Sequence, residues 1–398
     1  MESVPLVKVG FFPLDEQLGL VAGSLSPRSQ EQLVHLATWM PFERAVQMLK
    51  RFTGVQISEA TARRRTYQIG QATQEVQNAQ TSAGVASSAE SQGKLIVSPD
   101  GAMVPLLHGQ WAEVKTVVVG EVQPPGPDEQ IHSTQLSYFS RMSDAQTFTE
   151  QASGELVRRG VDQARPVCAV MDGAEWIDGF VDWQCKDAIR ILDFAHAAEY
   201  VSEIGQLAQA AGSVLPQNWL ADLLHELKQK GPSEVLRQMR QLREKHLQVE
   251  EIGKKVAYLE KREGRMQYPQ YQAAGWPIGS GIVESGNKVV MQARLKGSGM
   301  HWEPAHVNPL LALRTGACND RWDETIEQGR VHLHQQRLDL RRKRQYERYE
   351  RRLRPLLVRL LLLKIRFQPP APLPPPRPPG SSRPSATHPW RKPLLAKK

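Results

Sequence analysis

Apolar and polar residues recur along this chain with two different periods, and the changes between them mark its elements. Through residues 31–80 the period is helical. Phe42, Ala45, Leu49 and Phe52 fall at three- and four-residue steps after Pro41, a favoured first-turn residue, and Gly54 supplies the usual stop. A second helix begins in ISEATARRRTYQIG, with Ser58 placed as its N-cap and Arg63, Arg64 and Arg65 following. At 95 the texture becomes β. LIVSPDGAMVPL, WAEVKTVVVGEV and IHSTQLSYFSRM are three β-rich runs joined by short segments, which suits antiparallel neighbours. The helical run DAQTFTEQASGELVRRG separates them from VCAVMDGAEWI, a buried strand ending in Asp-Gly. A short helix through FVDWQC, a strand IRILDF and a helix AHAAEYVSEIGQLAQA complete the alternation.

Three meandering strands followed by alternating helix and strand is the order of a ribonuclease H-like α/β fold, with a mixed sheet whose parallel strands use right-handed crossovers. Residues 203–271 are helical again, with Met239, Leu242, Val249, Ile252, Val256 and Leu259 at steps of three, four and seven and charges of both signs elsewhere. They read as a helical insertion outside the sheet. The expected organisation is a lead-in over 1–30, a helix-turn-helix region over 31–80, a small-residue linker over 81–93 and a catalytic domain over 94–202 and 272–325 interrupted by that insertion. A basic helical segment over 326–368 and a disordered Pro-rich tail over 369–398 follow.

Composition narrows the function. The chain has 398 residues, 40% of them hydrophobic, enough for two or three domains with real cores. Lys and Arg number 51 against 42 Asp and Glu, a net charge of +9 that points to a polyanionic partner. Three cysteines, Cys168, Cys185 and Cys318, give neither a disulfide framework nor paired zinc-ligand spacing. The first residues lack the basic region and apolar run of a signal peptide, and LLVRLLLLKIRF is too short and too basic to span a bilayer. The expected location is cytoplasmic and nucleoid-associated, with no membrane partner.

Location makes three carboxylates stand out. Asp100 lies in or just after the first β run, Asp172 ends the fourth, and Glu284 sits one turn into a helix that Ser280 is placed to cap. In the expected sheet the first strand is central and the fourth lies beside it, so the two aspartates meet, and a following helix brings Glu284 over them. Bare carboxylates so gathered repel one another, and divalent metal relieves the repulsion. Mg²⁺ (or Mn²⁺) takes oxygen ligands, and two such ions about 4 Å apart serve an in-line phosphoryl displacement. Taken singly, Asp100-Gly and Asp172-Gly also fit ordinary turns, and Glu284 an ordinary first-turn carboxylate.

The segments SPDGAMVPLLHGQWAEVKTVVVGEV, VMDGAEWI, LDFAH and GWPIGSGIVESGNKVVMQARLKGSGMHW resemble the ISKra-type group of bacterial insertion-sequence transposases, within the wider Mutator-like DDE transposases. The resemblance runs roughly from residue 10 to 325 and is most specific around Glu284. It implies a catalytic triad of Asp100, Asp172 and Glu284. It also implies a Cys or Asp, two residues, then His after the second Asp, which Asp193 and His196 match. Asp193 would orient the imidazole, and His196 would contact phosphate or the leaving oxygen. The tail past 366 is more proline-rich than the resemblance leads one to expect.

The implied activity is binding of an element's terminal inverted repeats, metal-dependent cleavage at their ends, and joining of the freed 3′-hydroxyls to target DNA. Double-stranded DNA is the partner, with at least a dimer in the synaptic complex, and no nucleotide cofactor, since no P-loop is present. Arg63, Arg64 and Arg65 would hold DNA through phosphate. Arg294 and Lys296, with His301 close by, would hold the scissile phosphate, and Trp302 or Trp276 would stack on an unpaired base. Packing in the core accounts for the tryptophans equally well, and a helical hairpin with a solvated arginine face for residues 31–80. Two other functions remain open on sequence: a ribonuclease H-like nuclease or resolvase that does not join, and an inactive helix-turn-helix regulator.

Overall fold

The computed structural model describes residues 25–80, 93–126, 131–163 and 165–366. The first 24 residues of the expected lead-in, the linker up to 92 and the tail from 369 lie outside them. The described chain is mixed α/β, with one five-stranded sheet among many helices.

Three helices come first: α1 (Pro27–Trp39), α2 (Phe42–Thr53) and α3 (Glu59–Ala79). The helix α1 starts inside the expected lead-in, because Ser26 caps it by accepting the Ser29 N–H and Pro27 fits its first turn. Gly54 ends α2 with a left-handed φ of 73°, and the Ser58 hydroxyl accepts the Thr61 N–H to start α3. Phe42, Ala45 and Leu49 are buried as their spacing predicts, but Phe52, in the last turn of α2, is exposed.

The strands are β1 (Leu95–Pro105), β2 (Trp111–Val122), β3 (Ser133–Arg141), β4 (Val167–Met171) and β5 (Ile189–Leu192). Their spatial order is β3-β2-β1-β4-β5. β2 runs antiparallel to both β1 and β3, and β4 runs parallel to both β1 and β5. The parallel crossovers are α4 (Ala145–Arg158), leading from β3 to β4, and α5 (Glu175–Gln184), leading from β4 to β5.

Alternation assigns the two faces of β1. Leu95 and Val97 join Val117, Val119, Phe148 and Phe180 on the face covered by α4 and α5. Ile96 and Val104 point the other way, into two different clusters. Ile96 meets Cys168, Val170 and Ile191 under α6 (Phe194–Ala210), α7 (Trp219–Lys230), α8 (Ser233–Lys245) and α9 (Glu250–Lys261). The predicted stripe Met239, Leu242, Ile252, Val256 and Leu259 lies in this same core, so the insertion helices share their interior with the sheet.

Val104 belongs to the second cluster. Its helical partners come from α1, α2 and α3, from the π-helix Asn287–Gln292, from α12 (Ala293–Leu295) and from α13 (Pro304–Cys318). Two shorter helices precede that π-helix, α10 (Tyr268–Ala273) and α11 (Gly281–Gly286). Between Ile96 and Val104, on the same face, stands Asp100. It marks the seam where one apolar cluster ends and the next begins.

The last helix, α14 (Trp322–Arg366), carries the basic run. Residues up to Gln336 form one unit, and Arg337 onward forms another. Among the described residues no helix is long and apolar enough to cross a membrane.

Candidate functional site

Register brings the two aspartates together. β1 and β4 pair Leu95 with Val167, Ile96 with Cys168 and Val97 with Ala169, and Ser98 Oγ donates to the Val170 carbonyl at the same offset of 72 residues. Asp100 and Asp172 share that offset, one step beyond the last residue of β4. Period-two alternation also gives them the same face, that of Ile96, Cys168 and Val170.

Asp100 is half-buried. Its Oδ1 accepts the Gly101 N–H at 2.7 Å, and its Oδ2 accepts the Asn287 side-chain N–H at 2.8 Å. Burial pushes its carboxyl above the ordinary value and the Asp172 charge adds to that. The Gly101 and Asn287 donors and His196 pull the other way without cancelling it. Asp172 Oδ1 accepts the Ala174 N–H at 2.8 Å, a side-chain turn that opens the way into α5.

Asp193 and His196 complete the floor. Asp193 is 1% exposed and caps α6. Its Oδ2 meets His196 Nδ1 at 3.0 Å, and its Oδ1 accepts the Ser280 N–H at 3.1 Å. Burial alone would raise its pKa, but the hydrogen bonds from His196 and Ser280 win and hold it below the usual carboxylate value. The same bond to Asp193 raises His196, against partial burial, with Asp172 contributing at longer range. The Ser280–Asp193 bond and the Phe194 N–H to Ile278 carbonyl bond (2.9 Å) fasten the GWPIGS loop here, and this aims α11 across β1, β2 and β3. Ser280 occupies the N-cap position, but its side chain does not cap.

Glu284 lies on α11, exposed to solvent. Among the described residues no group of three or more His, Cys, Asp or Glu side chains gathers as a metal-binding set. Of the three expected carboxylates Asp100 and Asp172 share one face of the sheet, and Asn287, one turn beyond Glu284, reaches Asp100. Asn287 is 2% exposed, and its Oδ1 is buried without a hydrogen-bond partner. An orphaned buried acceptor beside Asp100, with Asp172 on the same face of the sheet, makes an all-oxygen donor set, the kind Mg²⁺ or Mn²⁺ takes. The spacing of Asn287 three residues after Glu284 is a usable signal in the sequence.

The residues expected on DNA divide. Arg63 and Arg64 are exposed on α3, Arg63 paired with Glu59 at 2.7 Å, while Arg65 is half-buried and bonded to Gln68. Lys296 is exposed, its ammonium 6.0 Å from the ring centre of Trp111. His301 is exposed too.

Arg294 is a correction. It is 1% exposed, its Nε donates to the Ala37 carbonyl at 2.9 Å, and the Phe42 and Trp302 rings sit 5.0 and 5.1 Å from its guanidinium. Burial pushes its pKa down to about 10. A guanidinium so enclosed joins α1, α2 and α12 and is out of reach of a phosphate.

Trp302 and Trp276 are corrections of the same kind. Trp302 is 7% exposed with its Nε1 donating to the Leu295 carbonyl, and Trp276 is buried in the sheet-and-insertion core, so neither offers a face to a base.

No family profile matches the chain, and no curated protein does. A Drosophila P element transposase strand transfer complex is similar over 79% of this chain and 82% of that one, at 10% identity and a TM-score of 0.26. A likeness that slight carries no conclusion about this chain's fold or activity.

Proposed function

We propose that this chain is a DDE-type DNA transposase with a ribonuclease H-like catalytic domain. On this reading it binds the terminal inverted repeats of its element and catalyses metal-dependent cleavage and strand transfer. The observation that carries the reading is the pair Asp100 and Asp172, in register on one face of adjacent parallel strands, with Asn287 bonded to the first. The strand order β3-β2-β1-β4-β5 and the resemblance of the surrounding segments to ISKra-type transposases support it.

Asp100, Asp172 and the orphaned Asn287 Oδ1 would hold Mg²⁺ or Mn²⁺, with Glu284 the nearest further carboxylate on the same helical run. The bound metal would supply charge stabilisation at the reacting phosphate and a lowered pKa for the attacking oxygen. The rest falls to the chain. Water attacks phosphorus first and a 3′-hydroxyl second; in each step one P–O bond forms and the bond to the leaving 3′-oxygen breaks. His196, held by Asp193 through Nδ1, is left with Nε2 to meet a phosphate oxygen or give a proton to the leaving oxygen. The hydrogen bond to Asp193 raises its pKa, which favours the protonated, proton-giving form. Arg63 and Arg64 on α3, with Lys296, are the exposed cations that would bind DNA backbone.

The test uses a labelled duplex carrying an inverted repeat from the DNA flanking the gene. Mg²⁺-dependent nicking at its end and covalent transfer to a plasmid are the expected products. Nicking without transfer makes the protein a nuclease, and binding without either makes it a regulator.

A further inference from the structure

The insertion reaches the site at the Asp172–Gly173 turn. The Tyr258 hydroxyl, from α9, donates to the Asp172 backbone carbonyl. Arg262, just after α9 and 6% exposed, donates from Nη2 to the Gly173 carbonyl at 2.6 Å and from Nη1 to the Tyr258 carbonyl at 3.1 Å. Its guanidinium lies 3.7 Å from the centre of the Tyr258 ring, and that ring stacks on Tyr200 of α6 at 4.0 Å and 8°. Arg265 adds a bond to Asp178 of α5 at 2.7 Å. Gly173 has a left-handed φ of 81°, and a Cβ there would come within 2.5 Å of both Arg262 Nε and the Tyr258 hydroxyl.

The turn therefore has two consecutive carbonyls held by side chains from almost ninety residues away. That arrangement does nothing for the sheet, since β4 ends at Met171. It does fix the direction in which the Asp172 carboxylate leaves the backbone. The stack of Tyr200, Tyr258 and Arg262 holds both donors rigid.

We propose that Tyr258 and Arg262 are positioning residues for Asp172, so that the helical insertion sets the metal affinity of the site. The proposal rests on the reading of Asp172 as a metal ligand. Partners that orient metal-binding carboxylates commonly alter affinity by 10–100-fold when removed.

The experiment titrates Mn²⁺ into the full chain without DNA and follows free Mn²⁺ by electron paramagnetic resonance. Tyr258→Phe, which keeps the ring stack, and Arg262→Met should each weaken binding by ~10-fold or more. Arg262→Lys, retaining a donor for Gly173, should recover part of the loss. In an Asp172→Asn background the same changes should have no further effect. Wild-type Mn²⁺ affinity in Tyr258→Phe, with Asp172→Asn strongly weakened, overturns the clamp and leaves the transposase reading intact. Undiminished affinity in Asp172→Asn itself overturns the ligand assignment, and the clamp with it. If Arg262→Met unfolds, as circular dichroism would report, Tyr258→Phe alone decides.

Discussion

Asn287 donates to Asp100 across 187 residues of chain, and this bond joins the π-helix to the centre of β1. A π turn shifts the residues after it relative to an α-helical course, and such turns gather at functional sites. Here the turn begins at Asn287 itself, directly after α11. Gly286, packed against Val118 of β2 and Tyr138 of β3 where a Cβ would lie 2.7 and 3.2 Å away, lets the helix approach the sheet closely enough for the bond to form.

Removing the amide should loosen Asp100. Asn287→Ala is expected to lower Mn²⁺ affinity by ~10–100-fold. Asn287→Asp should do the opposite at a different expense: its carboxylate repels Asp100, lowering the melting temperature of the metal-free protein, while added Mn²⁺ restores it by mass action. Calorimetry of both variants with and without Mn²⁺ separates the two. Equal affinity in wild type and Asn287→Ala would make the bond a packing contact only.

The Asp193–His196 pair gives a pH dependence with a definite sign. His196 is raised by its bond to Asp193, so its contribution to stability is complete below the ordinary histidine value of about 6.5 and fades as pH rises through the raised one. Asp193 is lowered, so its contribution is complete above about 3.9 and fades as pH falls through its depressed value. The pair therefore stabilises most between these limits. The difference in melting temperature between wild type and His196→Ala should be largest near about pH 5 and shrink on the alkaline side. A difference that grows with rising pH would mean the imidazole is held neutral.

Much of this fold is legible in the sequence because alternation is a local signal. Five strands, the antiparallel meander and the Gly54 and Ser58 helix boundaries all follow from residues within a few positions of one another. The remainder depends on packing at long range. ARLKGSGMHW reads as a basic surface, yet Arg294 follows Val290 and Met291 around the helix into the core and finds the Ala37 carbonyl. The apolar stripe of the insertion predicts helices but not their partner, which proves to be Ile96, Val170 and Ile191. The two aspartates are legible through strand order. Tyr258 and Arg262 are not, since a side chain that orients another carries no motif of its own, and Asn287 offers only its spacing from Glu284.

One close approach should be measurable as stability alone. Gly70 of α3 faces α13, and a Cβ there would lie 2.5 Å from the Pro309 carbonyl oxygen and 2.9 Å from its carbon. In a free helix Gly→Ala stabilises by about 1 kcal/mol. Here the neighbour is backbone and cannot yield, so overpacking of about 1–3 kcal/mol should win. Urea unfolding of Gly70→Ala is expected to show a lower midpoint, and an unchanged or higher one would mean α3 moves freely on α13.

DNA affinity should report on Arg63 and Arg64 through salt. Every phosphate that an arginine ceases to neutralise flattens the slope of log K against log salt by about 0.9. Arg63→Ala with Arg64→Ala should flatten it by about 2 on the flanking repeat. Arg65→Ala should add little, because its side chain is half-buried against Gln68. An unchanged slope would move the end-binding surface to the basic segment of α14.

The decisive substitutions replace carboxylate by amide, similar in size but without charge. Asp100→Asn, Asp172→Asn and Glu284→Gln should fold and bind repeat DNA. Binding without metal is expected to rise slightly, since a negative charge next to phosphate has gone. Cleavage and joining should fall together by several powers of ten for Asp100 and Asp172, whose oxygens share one face, because metal ligation provides much of the barrier reduction. Glu284 tests something more specific. It is exposed in the free chain, so Glu284→Gln should leave Mn²⁺ binding without DNA near wild type yet still abolish cleavage if the helix carries it inward once DNA is bound. A gel assay on the repeat duplex, run beside Mn²⁺ titrations with and without DNA, distinguishes the roles. Wild-type cleavage by Glu284→Gln would leave a two-aspartate site with Asn287 as its third oxygen donor, and cleavage that needs no divalent metal would overturn the mechanism.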